Sequence, residues 1–347
     1  MVRWSIFLAL VLPVAFAPIL PVAVATAPAG AAEIAADLKV APDLKVAFIG
    51  DQGCDSGWPD PPEWPPCTPD PRLVLELIRD EKAELVIHLG DFDYTHKPDR
   101  FDELVGQVLG PAFPYLAVAG NHDVEKWDGY RAKLEARLAR TPDAKCKGDI
   151  GVMAACAYKG LFIAFAAPGI FAHTDESFRE HAAYLRQALA ASGARWKICA
   201  WHRNQRQMQL GEKGRRQSDK TGWGVYEACR AAGAIIATGH EHSYSRTHLM
   251  AKFADRPKVA SKDNTLKLAR GRTFAFVSGL GGRKPRSQVE PSDKWWAAIY
   301  TATQGAKPGA LFCTFNPGGR APDRADCYFK AIHGAVPDRF RIVAPAP

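Results

Sequence analysis

Leu85-Val86-Ile87-His88-Leu89-Gly90-Asp91-Phe92-Asp93-Tyr94 runs a short apolar segment straight into a glycine, two carboxylates and a tyrosine. An apolar run of this length without alternation reads as a strand buried on both faces, as in sheets covered by helices. Gly90 lets the backbone turn tightly as it leaves the strand. Asp91 and its followers would then project from the strand's carboxyl end, where open α/β sheets place their sites.

The arrangement recurs outward from this stretch. Lys45–Ile49 leads into Gly50-Asp51-Gln52-Gly53, and Tyr115–Ala119 into Gly120-Asn121-His122-Asp123. Trp196–Trp201 leads into His202, and Ala234–Thr238 into Gly239-His240-Glu241-His242. Helical segments lie between them. Asp70-Pro71 starts one, with Leu73, Val74, Leu77 and Ile78 on a single face. Ser177-Phe178-Arg179-Glu180 has the form of a capping box opening a second, along which Phe178, Ala182, Leu185 and Leu189 recur at helical spacing. Beyond about residue 247 the chain turns β-rich, with Thr273–Ser278, a hairpin of Ala310–Phe315 and Asp326–Ile332, and Phe340–Val343. Alternating strands and helices followed by strands predict one α/β domain over 44–347, an α/β/β/α sandwich of two mixed sheets flanked by helices.

Singly, a Gly-Asp at a strand end is a turn and a His-x-His on a strand is two rings on one face. Five such motifs, in order and each after an apolar strand, define a common cleft instead. Oxygen donors from Asp51, Asp91 and Asn121, nitrogen from His202, His240 and His242, and the Tyr94 phenolate are too many for one tetrahedral ion. They suit two metals sharing a bridging carboxylate. Such a pair clamps a phosphoryl group and generates hydroxide at neutral pH.

With these motifs in view the chain resembles the calcineurin-like metallophosphoesterases, and within them the purple acid phosphatases. The GD, GDxxY, GNH, lone His and GHxH elements are all present between residues 45 and 246. The resemblance implies that Asp51, Tyr94 and His242 hold Fe(III), that Asn121, His202 and His240 hold a divalent Fe, Zn or Mn, and that Asp91 bridges them. It implies that His122 binds no metal but lies beside the substrate, protonating the leaving oxygen or stabilising charge. The implied reaction is hydrolysis of a phosphate monoester by in-line attack of metal-bound hydroxide, on a phosphorylated small molecule. A phosphodiesterase or nucleotidase would use the same metals with a different rim, and a non-catalytic binding protein would have lost a ligand; none is lost. Arg203, Asn204 and Gln205 stand where the family often has further histidines, and His96 where an aspartate is common.

Export is expected from the amino terminus. Arg3 precedes a stretch, Trp4–Ala32, with no charge and with small residues at its end, Ala23-Val24-Ala25 and Ala29-Gly30-Ala31. Residues 1–32 read as a signal peptide and 33–43 as a linker. An uncleaved anchor is the alternative, which Pro13, Pro18, Pro21 and Pro28 oppose. Eight cysteines without a CxxC pattern agree with a secreted or periplasmic protein. Cys313 and Cys327 flank the hairpin and would face each other if it turned at Arg320; Cys54 with Cys67 and Cys146 with Cys156 would close local loops, leaving Cys199 and Cys229.

The net charge of +8 fits an anionic substrate and fits solvated lysines and arginines equally. No basic stripe interleaved with aromatics suggests nucleic acid, and membrane contact is expected only if the signal stays uncleaved. The basic loop 203–220 starts right after His202, so Arg203 is placed to fork onto phosphate oxygens. Residues 53–70, with six prolines, Trp58 and Trp64, suggest a stiff rim. The sequence leaves the oligomeric state undetermined.

Overall fold

A computed structural model describes Met1 and residues 39–53, 71–211, 221–289 and 295–345. The leader, Cys54 with Cys67, the Trp58–Trp64 rim and the far part of the basic loop lie outside the described residues. The alternating part comprises β1 (Leu44–Ile49), α1 (Pro71–Asp80), β2 (Leu85–His88), α2 (Pro98–Leu109), β3 (Tyr115–Ala117) and α3 (Trp127–Ala139). It continues through β4 (Ala144–Asp149), β5 (Met153–Tyr158), β6 (Leu161–Ala166), α4 (Asp175–Ala191), β7 (Trp196–Trp201), α5 (Gly224–Ala232) and β8 (Ile235–Thr238). Strands then follow: β9 (Tyr244–Thr247), β10 (Leu249–Lys252), β11 (Lys258–Ser261), β12 (Thr265–Lys267) and β13 (Ala275–Ser278). The last are β14 (Trp296–Tyr300), β15 (Gly309–Phe315), β16 (Arg324–Ala331) and β17 (Asp338–Val343).

Two large mixed sheets result. One has the order β12-β17-β16-β15-β1-β2-β3, the other β14-β9-β13-β8-β7-β6-β5-β4, and β10 pairs with β11 apart from both. The side-chain period of two decides which layer each residue joins. Leu44, Val46 and Phe48 of β1 enter a core shared with Leu161, Ile163 and Phe165 of β6 and Trp196, Ile198 and Ala200 of β7, between the sheets. Ala47 and Ile49 face the other way, against Val74, Leu75 and Ile78 of α1 and Phe101 of α2. On the far side, Phe162, Cys199 and Trp201 meet Leu185 of α4 and Val225 of α5. Three apolar layers therefore separate four structural layers, the expected α/β/β/α sandwich. Edge-on contact of Phe48 with Phe276, centroids 5.2 Å apart, ties the sheets together.

Local expectations need two corrections. Helix α4 starts at Asp175, with Thr174 as its cap accepting from the Ser177 backbone N–H at 3.1 Å. The Ser177–Glu180 pattern lies within the first two turns, because Thr174 caps the helix three residues earlier. Helices α2 and α3 and the β4–β6 ribbon were not anticipated, although Phe101, Leu104, Val105 and Val108 of α2 recur at helical spacing; α3 buries only Tyr130, Leu134 and Arg137.

Among the described residues three disulfides are formed. Cys146–Cys156 and Cys313–Cys327 join directly opposed residues of β4/β5 and β15/β16, each with Cα atoms 4.1 Å apart. The hairpin at Asn316–Asp323 thus has the register expected from a midpoint at Arg320. Cys199–Cys229 pins β7 to α5 with a Cα separation of 6.4 Å. Among the described residues no helix is long and apolar enough to cross a membrane.

Candidate metal centre

Strands β1, β2 and β3 run parallel in one sheet, and β7 and β8 run parallel in the other. The five motifs leave their carboxyl ends toward the same cleft, and their side chains meet in two groups. In the first, Tyr94 Oη donates to Asp51 Oδ1 at 2.8 Å and lies 3.1 Å from His242 Nε2, which is 3.3 Å from the same Asp51 oxygen. In the second, His202 Nε2 lies 3.3 Å from Asp91 Oδ2 and 3.1 Å from His240 Nδ1. The two are joined by the His240 backbone N–H, which donates to Asp51 Oδ2 at 2.8 Å. Asn121 borders the second group, its Oδ1 3.4 Å from Arg203 Nε. Its neighbour His122 donates its backbone N–H to Asp91 Oδ1 at 2.8 Å and sets its ring 4.4 Å from that of Tyr94, half-buried at the cleft.

This donor set fits metal ions. Ligands about 2.0–2.2 Å from one cation lie roughly 3 Å from each other, which is the spacing in both groups. His202 Nδ1 sits 2.6 Å from the Leu89 carbonyl, which holds the proton there and turns Nε2 inward as a lone pair, the outer-sphere arrangement of metal-binding histidines. Burial opposes an imidazolium at His202, but the Asp91 carboxylate outweighs it and raises the pKa. Burial also pushes the Tyr94 phenol well above its ordinary value, reinforced by Asp51 and Asp91, with Arg283 pulling partly back. Asp51 is shifted down: burial would raise it, but the hydrogen bond and charge of His242 prevail.

The backbone departs from expectation in an instructive way. Among the glycines heading the motifs only Gly90 has a positive φ, and the left-handed conformation falls on the donors instead: Asp51 at 58°, Asp91 at 60°, Tyr94 at 56° and His240 at 70°. Each such residue costs about 1–3 kcal/mol, a strain held where function needs it. Gly120 is needed for space, since a Cβ there would lie 2.1 Å from the Asp91 nitrogen.

Asp123 is what holds the strained turn, a role the sequence reading missed. Its buried carboxylate accepts from the backbone N–H groups of Gly120 at 2.6 Å, Phe92 at 2.8 Å and Asp91 at 2.9 Å. Burial, then Asp91, raises its pKa against the pull of the Phe92 and Gly120 N–H groups. His88, buried between Phe92 and Tyr115, belongs to the core: burial lowers its pKa to about 3 and keeps it neutral. His96 pairs with Glu125 at 3.7 Å near the surface.

Two arginines at the cleft were not anticipated. The loop after β13 lays the Arg283 guanidinium 4.1 Å from the Tyr94 ring centroid and sets Arg286 Nη2 3.1 Å from His242 Nε2. Arg203, by contrast, spends Nη1 on the Gly169 carbonyl at 2.8 Å and on the His173 ring at 3.0 Å, with Nε toward Asn121.

A sandwich of two mixed sheets with carboxylates, imidazoles and a phenol gathered at the parallel strand ends defines a metallophosphoesterase. Residues 44–244 match the family model of the calcineurin-like phosphoesterases, and the chain belongs to that family. Its fold is similar to that of a purple acid phosphatase from yellow lupin (Lupinus luteus) seeds, at TM-score 0.63 and 17% identity over 86% of this chain and 53% of the lupin chain. The chain thus spans about half the length of that relative. It is also similar to GAP50, the anchor in the inner membrane complex of Plasmodium (TM-score 0.53, 11% identity, 87% and 89% covered). A dimetal phosphatase from Danio rerio is a third (TM-score 0.51, 10% identity, 87% and 99% covered). Among curated protein sequences none matches.

Proposed function

We propose that this protein is an exported phosphomonoesterase with a dimetal centre of Fe(III) and a divalent ion. The observation that carries the reading is the meeting of Asp51, Tyr94 and His242 within 3.3 Å of one another, joined through the His240 N–H to the Asp91–His202–His240 group. Asp51, Tyr94 and His242 would hold Fe(III), a hard ion suited to phenolate and carboxylate. Asn121, His202 and His240 would hold a divalent Fe, Zn or Mn, with Asp91 common to both. When bound, two cations polarise the phosphoryl group and lower the pKa of a water enough for attack at neutral pH.

The chain's own residues supply position and protons. Asp91 is turned by its left-handed backbone and by Asp123 so that Oδ2 faces His202 while Oδ1 takes the His122 N–H. That contact fixes His122 beside the cleft with its ring against Tyr94, where it delivers a proton to the leaving oxygen. Export is supported by the uncharged leader and by three disulfides, which persist in oxidising compartments.

Metal analysis with a visible spectrum tests this together with turnover of an aryl phosphate monoester and diester. The expected result is two metals per chain, one of them iron, a phenolate-to-iron absorption lost in Tyr94→Phe, and preference for the monoester. A colourless di-zinc protein preferring the diester would replace the reading with a phosphodiesterase.

A further inference from the structure

Arg286 is placed as a fixed part of the cleft. Its backbone N–H donates to the His242 carbonyl at 2.9 Å, and its carbonyl accepts from Ala302 at 2.8 Å. From there Nη1 reaches the His240 carbonyl at 3.2 Å and the buried Glu241 Oε1 at 3.4 Å, leaving Nη2 3.1 Å from His242 Nε2. The side chain is 20% exposed.

A guanidinium has no lone pair to give a metal. Beside a bound cation it is repelled, and the Glu241 carboxylate offsets one charge. The position is favourable when an anion lies against both, and a planar guanidinium matches phosphate oxygens in geometry and charge. Resting on the phosphoesterase reading above, we infer that Arg286 binds a terminal oxygen of the substrate phosphoryl group and selects for monoesters. A monoester carries nearly two charges at neutral pH and three terminal oxygens, whereas a diester carries one charge and two such oxygens. A fixed cation beyond the metals therefore favours the monoester. It takes the part expected of Arg203, whose Nη1 is committed to Gly169 and His173.

The competing explanation is that Arg286 only neutralises Glu241. Calorimetric titration of inorganic phosphate into metal-loaded protein separates the two, using wild type, Arg286→Met, Arg286→Lys and the double variant Arg286→Met/Glu241→Gln. The double variant removes both charges and keeps the test valid if the single one folds poorly. Expected is about a ten- to hundredfold loss of phosphate affinity in both Met variants, the usual worth of a hydrogen bond to a charged group, with partial recovery in Arg286→Lys. Two bound metals should remain, and the monoester-to-diester ratio of kcat/KM should fall by a similar factor. Unchanged phosphate affinity in a folded, metal-loaded Met variant would overturn the inference. Failure of loaded wild type to bind phosphate would overturn the phosphoesterase reading, and the inference with it.

Discussion

Two groups of buried polar side chains bridge the sheets, and they are completed in different ways. In one, Arg246 of β9 meets Asp338 of β17 through two hydrogen bonds of 2.7 and 2.9 Å, and Tyr244 donates to the same carboxylate at 2.7 Å. Asn264 takes the second Arg246 nitrogen at 3.1 Å, and Phe340 lies under the guanidinium at 4.3 Å. One positive and one negative charge meet, and donors face acceptors. In the other, Asp51, Asp91, Tyr94 and three histidines crowd their oxygen and nitrogen atoms together at 2.8–3.3 Å, only Tyr94 clearly donating, to Asp51. Four backbone positions are strained to hold them there. A buried group satisfied by its own chain serves stability. A buried group that needs something from outside serves binding.

Breaking each cluster should therefore fail differently. Asp91→Ala is expected to give the largest effect: both metals lost and activity at background, because in the proposed centre one carboxylate would serve both ions. Retention of two metals per chain would end its bridging role. His122→Asn should keep both metals and the fold while lowering turnover by about 10²–10⁴, the usual worth of a positioned acid. Undiminished turnover of an alkyl phosphate, a poor leaving group, would remove it as the proton donor. Asp338→Ala leaves the Arg246 charge buried and unpaired and should cost about 3–5 kcal/mol of stability by denaturant unfolding. Its metal content and kcat, measured on folded protein, should stay at wild-type level; a change in either would mean that the two clusters are not independent.

Much of this organisation was legible beforehand because it rests on local rules. Apolar runs ending in Gly-Asp (twice), Gly-Asn-His, Gly-His-Glu-His and the lone His202 placed five strand ends, and Cys313 with Cys327 gave the register of a hairpin. Features depending on contacts between distant segments were harder to read. Asp123 stood within a recognised motif, but its partners Asp91 and Phe92 lie about thirty residues earlier in the chain. Arg286 follows His242 by 44 residues, and its only local sign is the glycine pair Gly281-Gly282 beyond a buried strand. Thr174 was passed over because Ser177 offered an equally good cap by composition, and only the hydrogen bond to Ser177 separates them.

Residue type and order by themselves determined the layer architecture and the inventory of candidate donor groups, since burial periodicity and donor chemistry are properties of the individual side chain. Tertiary structure alone decided which donor side chains meet, that the left-handed conformation falls on Asp51, Asp91, Tyr94 and His240, and that Arg286 joins Arg203 at the cleft. Those outcomes depend on distances of about 3 Å between segments from opposite sheets. Such distances are fixed only when the apolar layers pack and no second arrangement of the same side chains fills the space.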